Sequence, residues 1–438
     1  MKKTLAYILM MSLMLAIFVP SASAEQVTIR MFCADLSDVV DPLRDLVGEF
    51  EAETGMKVII DTVPEAEATD KRNMILSSQS TDYDVLLTAS NDLSGDIQAG
   101  WVVPINEYLS EDYDFSDFSE NLLNLLKDED GNLYGLPIRA ETNIMMYRKD
   151  IFDELDIAVP TTIDEFTAAA EKMTRDTDGD GSIDFYGTAV RGSQGEAAYT
   201  FTYYLKSFGG HFLDTEMNAA LTSDEAVEAL KYYVGLNQKY APVDAIIYTW
   251  DQVFAGVQNG TVGMIVESSI QAGILEDPDK STVVGRIGYA VPPAGPAGSS
   301  PDLKSYGYNI SAFSQNKEAA AKFIEWAVSE RVQKYAFEQY GFAGITRNSV
   351  LDECSNQAPY FEAIKDAMAI GNIYYLPLIP ECNSIYNATG EAIAAAQAGT
   401  EPAEALAATN EKIQAIIDDA GYHNGTVEIP EFILNNLG

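Results

Sequence analysis

The chain has 438 residues, 47% of them hydrophobic, and 67 Asp+Glu against 27 Lys+Arg give it a formal charge of −40. That length exceeds one ordinary domain and favours two lobes, and so acidic a chain repels nucleic acid and anionic lipid. Catalysis finds little footing: the two histidines, His211 and His423, stand far apart, and there is no G-x-S-x-G elbow, phosphate loop or Cys-His arrangement.

Lys2 and Lys3, the apolar run from Leu5 to Val19 and Ala22-Ser23-Ala24 read as a cleaved secretory signal over residues 1–24. The apolar run is too short for a membrane span. The mature chain, with 25 basic against 67 acidic residues, then carries −42. No cysteine follows the cleavage site, so the expected location is a periplasm without a lipid anchor. Residues 27–33 read as a strand, Asp41 as an N-cap, Pro42 as the first helical residue, and Gly55 as the helix stop. Residues 57–63 and 84–87 are further strands, and β-α-β-α-β implies a parallel sheet. Ligands bind beyond the carboxyl ends of such strands, which points to Asp35, Asn91 and Asp92.

Between Tyr134 and Thr174 the chain changes folding unit. Pro137 closes one segment. Arg139 and Glu141 follow, two apart and so on one face of an extended chain, either gripping a ligand or pairing with each other as a hinge salt bridge. Asn143 to Tyr147 is a short strand, and Lys149 opens a short helix. Thr162 and Glu165 have capping-box spacing ahead of Phe166, Ala169, Ala170 and Met173. Asp176, Asp178, Asp180 and Asp184 alternate around glycines as in a calcium loop, but the closing position is Gly187, so a structural Ca2+ there would lack its bidentate ligand. Thr222 and Glu225 cap another helix, 263–267 is a strand, 289–305 is a Pro/Gly/Ser-rich linker, and a strand and a helix follow at 305–313 and 317–329. At most one disulfide can form. Cys354 and Cys382 are the candidate pair, Cys33 lying in a strand-like run.

The segments YDVLLTASNDLSGDIQAGWVVPI, FYGTAVRG, YTWDQVFAGVQNGTVGMIVESS, IGYAVPPAGPAG, SQNKEAAAKFIEWAVSE and IPECNSIYNATGEAI, in this order, resemble the family 1 extracellular solute-binding proteins, the maltose-binding-like receptors of ABC importers. Sugar and polyol receptors are nearest by TAVRGSQGEAAYTFTYYLKSFGG and YTWDQV. The resemblance implies an α/β two-lobed periplasmic-binding-protein fold, with an N-lobe of 25–138 and 299–344, a C-lobe of 139–298 and 345–438, and three passages near 137–143, 292–306 and 343–348. It also implies a monomer without a cofactor, a carbohydrate or polyol ligand, and delivery to permease subunits. Glu141 stands where the family faces its ligand.

A sugar needs planar polar partners and rings for its C–H face. Asp35, Asn91, Asp92, Glu141 and Glu267 are candidate acceptors, Arg139, Arg191 and Arg347 candidate forks, and Trp250, Tyr306 and Tyr386 candidate rings. Core packing is the alternative for Trp250, and ordering of its own loop for Arg191. Two rival readings are a secreted hydrolase using paired carboxylates and the same fold binding a polyamine, the latter opposed by three arginines.

Overall fold

The computed structural model describes residues 26–429. The signal-like segment 1–24 lies outside them. Nine strands alternate with helices: β1 (Thr28–Ala34), β2 (Lys57–Val63), β3 (Val85–Ala89), β4 (Val102–Val103), β5 (Gly135–Arg148), β6 (Tyr186–Thr188), β7 (Val262–Ser268), β8 (Ile287–Ala290) and β9 (Leu303–Ser311). Their order across the sheet is β2-β1-β3-β9-β5-β7-β6, with β4 beside β9 and β8 beside β5. β1 runs parallel to β2 and β3, as the β-α-β-α-β pattern requires, whereas β9 returns antiparallel to β3 and β5.

β5 is the element that joins two sheets. Gly135 to Thr142 pair with β9, and Asn143 to Arg148 pair with β7 and β8. The sequence reading ended a segment at Pro137, but the strand runs on through it. The register slips between Pro137 and Arg139, a bulge of the kind in which proline's missing N–H does no harm. Beyond Thr142 the strand alternates: Ile144 and Met146 face one core with Ile265 of β7, while Met145 faces a second core with Met264 and Val266. Helices therefore cover both faces of the second sheet, and Phe166, Ala170, Phe201 and Tyr233 fill its second core.

Local signals hold in most places. Thr162 and Glu165 form the full capping box, and Gly55 takes φ 73° as the left-handed stop of helix Ser37–Thr54. Two local readings shift. That helix begins at Ser37 rather than Asp41, because Val39 and Val40 bury in the core and draw the first turn in, with Pro42 inside it. Ser223 rather than Thr222 caps helix Asp224–Tyr240, accepting from Ala226 N.

The chain passes between sheets within β5 and again between β8 and β9. Residues 343–348 lie along the first half of β5, where Gly344 O accepts from Ala140 N at 2.9 Å and Thr346 Oγ1 donates to Pro137 O. The chain next enters the second core at Tyr375. Leu122, Leu125, Ala140 and Leu303 form a third, small cluster at the junction, with Ile373 and Leu378 packed on it.

The candidate disulfide is absent. Cys33, Cys354 and Cys382 are buried free thiols, and Cys354 lies in the first core and Cys382 in the second, on separate sides of the molecule's packing. Burial pushes the Cys33 thiol up to about 12 and Cys354 up to about 11. Native protein should therefore release almost no thiolate to a colorimetric disulfide reagent at pH 8, and guanidinium-unfolded protein all three. A stoichiometry of one after unfolding would restore the bridge.

Candidate functional site

A cleft of ≈ 790 Å³ opens along the line where the two sheets meet, within the size range of small-molecule sites. Asp35, Asn91, Arg139, Glu141, Arg191, Trp250, Glu267, Tyr306 and Tyr386 all line it. Asp35 and Asn91 arrive at the carboxyl ends of β1 and β3, as doubly wound sheets dictate.

The antiparallel register of β5 and β9 sets Glu141 opposite Lys304 and Arg139 opposite Tyr306, so two strands present one polar face. Arg139 Nε lies 3.1 Å from Glu141 Oε1 and 3.8 Å from Asp38 Oδ2. Its guanidinium also sits 5.2 Å from the Tyr306 ring centre. Lys304 Nζ donates to Tyr306 Oη at 2.9 Å. Burial works against both cations, but Asp38 and Glu141 hold Arg139, and Tyr306 and Glu141 hold Lys304, each above its ordinary pKa. Arg139 thus both pairs with its neighbour and lines the cleft.

The second sheet repeats the arrangement more tightly. Arg191 grips Glu267 as a bidentate fork, Nε to Oε1 at 2.7 Å and Nη2 to Oε2 at 2.6 Å. Thr200 Oγ1 and Ser268 N donate to the same carboxylate. The Arg191 guanidinium stands 4.8 Å over the Tyr199 ring. Glu267 raises the Arg191 pKa although burial opposes it. Gly390 lets helix Cys382–Gln397 close on the loop before helix Ala197–Phe208, since a Cβ there would meet Gln194 O at 2.0 Å. On helix Cys382–Gln397, Tyr386 Oη donates to Glu196 O, and burial lifts its phenol to about 12. Glu196 also accepts from Trp250 N, setting the start of the helix that carries this ring.

Two expected contacts lie elsewhere. Arg347 is spent in the first lobe: Nη1 binds Asp117 at 2.9 Å, Nη2 binds Tyr113, Nε binds Val328 O, and its guanidinium covers Phe118. Asp92 stands behind the cleft wall, where it pairs with Arg72 and accepts from Asn383 Nδ2 at 2.9 Å. Asn91 Nδ2 reaches Asn383 Oδ1 at 3.4 Å, so these residues join helix Ser90–Gln98 to helix Cys382–Gln397 across the cleft.

Sequence reasoning missed Lys304, Tyr199, Tyr375, Asp38 and Asn383, all of which line the cleft. Lys304 stood within a Pro/Gly/Ser-rich run, yet its two-residue spacing from Tyr306 was a signal that both share one strand face. Tyr199 belongs to the aromatic helix Ala197–Phe208, which offers no local contrast between core and cleft. At the Asp176 loop, Asp176, Asp178 and Asp184 place carboxylate oxygens within 4.8 Å of one another. Asp176 accepts from Gly179 N and Gly181 N, and Asp184 from Thr177.

Residues 34–334 match the family model for bacterial extracellular solute-binding proteins. The chain belongs to this family. Among characterised relatives, this solute-binding protein is 26% identical over 358 residues to the erythritol/L-threitol-binding protein of Mycolicibacterium smegmatis, spanning 76% of this chain and 74% of the relative. It is 27% identical over 350 residues to the mannitol-binding protein of Pseudomonas aeruginosa, spanning 74% and 78%. An ABC transporter solute-binding protein from Agrobacterium radiobacter in complex with ribitol shares its two-lobed fold with a TM-score of 0.81 and 26% identity, over 89% of this chain and 98% of that one. Another, from Agrobacterium vitis with bound D-mannitol, gives 0.79 and 26%, over 90% and 99%.

Both arginine sites predict a loss of stability, of different size. Glu267→Ala strands a buried guanidinium and should cost about 3–5 kcal/mol in urea unfolding. Arg347→Ala removes the guanidinium from Tyr113 and from Asp117, which keeps Ser349 as a donor, and should cost about 1–3 kcal/mol while ligand affinity stays as it was. A fall in affinity without a fall in stability would return Arg347 to the site.

Proposed function

We propose that the chain is the extracytoplasmic receptor of an ABC importer, that its ligand is an uncharged polyol or small sugar, and that it hands this ligand to membrane permease subunits without turning it over. The observation that carries this reading is the set of unpaired hydrogen-bonding atoms in the cleft. Asn91 Oδ1, Arg139 Nη1, Tyr199 Oη and Ser268 Oγ belong to residues that line it, are buried, and have no hydrogen-bond partner. Each such atom costs about 1–3 kcal/mol until a partner meets it. The set mixes a donor, an acceptor and hydroxyls of both kinds, and a chain of hydroxyl groups meets all of them, since each can donate and accept.

Glu141 and Glu267, in contrast, are already matched. Glu267 is saturated by Arg191, Thr200 and Ser268 N, and Glu141 sits between Arg139 and Lys304. A polyamine would have to displace these cations, and a sugar acid would find them engaged. The named ligands of the relatives, erythritol, L-threitol, mannitol and ribitol, support the same class. Trp250 and Tyr386 offer rings to the C–H face, the Tyr306 ring being held by Arg139 at 5.2 Å and Lys304 at 4.6 Å. Hinge closure brings both walls onto one ligand, which favours the closed population by its differential affinity. No described helix is long and apolar enough to cross a membrane.

A calorimetric and thermal-shift panel of erythritol, ribitol, D-mannitol, maltose, gluconate and spermidine tests this. One or more polyols should bind and raise Tm, since ligand at about 100 times its Kd adds about 2.7 kcal/mol. Tyr199→Phe should weaken that polyol about tenfold, the loss of one buried hydrogen bond. Binding of gluconate or spermidine alone, or product formation from an oligosaccharide, would overturn the reading.

A further inference from the structure

Asp302 is fully buried at the start of β9, and the polyol mechanism above gives it no task. Its position is singular. Its backbone N–H donates to Asn143 Oδ1 at 2.7 Å, at the residue where β5 changes sheet. On either side of it Leu303 N donates to Asn372 O and Asn372 N to Pro301 O, so three stretches of chain run side by side at this residue. Its carboxyl touches Thr202 Oγ1 through Oδ2, while Oδ1 has no partner.

Thr202 Oγ1 makes a second contact, with Tyr199 O in its own helix. A threonine hydroxyl has one proton, and neither a carbonyl nor a carboxylate has one to give. Two acceptors cannot share that proton at full strength. Both contacts become hydrogen bonds only if the carboxyl carries a proton of its own. We propose that Asp302 is a neutral carboxylic acid that donates from Oδ2 to Thr202 Oγ1, whose hydroxyl in turn donates to Tyr199 O, making Asp302 a positioning residue for the cleft-lining Tyr199. The chain of donors ties the junction to the first turn of helix Ala197–Phe208, and the Tyr199 ring that this turn carries lies between Arg191 at 4.8 Å and Lys304 at 5.7 Å.

The surroundings agree. No cation lies within 4.0 Å of the carboxyl among the described residues: Lys206 is spent on His211 Nδ1 at 3.1 Å, and Arg191 on Glu267. Burial raises the Asp302 carboxyl well above the carboxylate range, Glu267 adds to the rise, and Thr202, Lys206 and Arg191 pull against it. Tyr199, Tyr203 and Tyr375, the other titratable groups facing it, are phenols raised by burial and neutral. Burial lowers Lys206 to about 8 and His211 to about 4. Lys206 is therefore the one neighbour whose own titration overlaps the alkaline range.

A folded pKa above the unfolded one means stability that is full below about pH 4, the ordinary carboxylate value, and is lost as pH rises toward the folded value. The test compares Tm of the ligand-free wild type and Asp302→Asn, which keeps a donor but cannot ionise, from about pH 4 to about pH 8. The wild type should lose ground steadily to the Asn variant as pH rises, and the same divergence should persist in a Lys206→Met background. A constant difference above about pH 5, or a divergence abolished by Lys206→Met, would show an ionised Asp302 and overturn the proposal.

The positioning role rests on the polyol reading and is read with D-mannitol, ribitol and erythritol by calorimetry. Thr202→Val, which removes the relay at nearly constant volume, should weaken whichever polyol binds about tenfold, the equivalent of one hydrogen bond. Asp302→Ala should weaken it similarly, with Asp302→Asn closer to wild type. Equal affinities for wild type, Thr202→Val and Asp302→Ala would remove the role. Absence of binding by wild type to any of the three polyols would refute the ligand class instead, and the ligand-free Tm comparison still decides the protonation of Asp302.

Discussion

Everything in this molecule depends on a strand that carries charge through its interior. Arg139, Glu141, Thr142 and Asn143 follow one another along β5 where it leaves one sheet for the other, and none is more than 6% exposed. A buried charge without a partner costs several kcal/mol, so such a run is stable only if tertiary structure supplies partners. β9 sets Lys304 across from Glu141 and Tyr306 across from Arg139 by register, while Arg139 pairs with Glu141 on its own strand and with Asp38. β7 and the loop at Arg191 solve the same problem on the other side with one bidentate pair. The helices and apolar cores hold two strand pairs in a position that neither would reach alone.

This explains which parts of the site were legible in the sequence. Asp35 and Asn91 follow from strand order, because the carboxyl ends of parallel strands share an edge whatever the residues are. Arg139 and Glu141 follow from a spacing of two in an extended run. Arg347 had the same chemistry and the wrong address: its partner Asp117 lies 230 residues away, and no local pattern announces a pairing of that range. Asp92 failed for a related reason, since Arg72 claims it from a neighbouring helix. Tyr199 and Asn383 were hidden because their part is set by what they face across the junction, not by periodicity.

The fold itself was more legible than its seams. The Thr162–Glu165 capping box, the glycine stop and the alternation of strands with helices are local and survive assembly intact. Pro137 misled because proline normally ends a strand, whereas a bulge absorbs it here. The cysteines misled because an oxidising compartment permits a bridge, whereas packing decides it, and Cys354 and Cys382 went to different cores.

The same seam sets how the lobes respond to a ligand. At the junction the small cluster of Leu122, Leu125, Ala140 and Leu303 keeps the passages together, so bending there need not expose either main core. Across the cleft, the contacts of Asn383 with Asn91 and Asp92 join the walls through a few hydrogen bonds worth about 0.5–3 kcal/mol each. That is the scale of the gap between two conformers that a ligand can shift. The unpaired atoms divide between the walls, Asn91 and Arg139 on the first sheet's side, Tyr199 and Ser268 on the second's. On the proposed reading, a ligand that meets both sets gains its last hydrogen bonds only when the walls meet, and that differential gain would convert binding into closure.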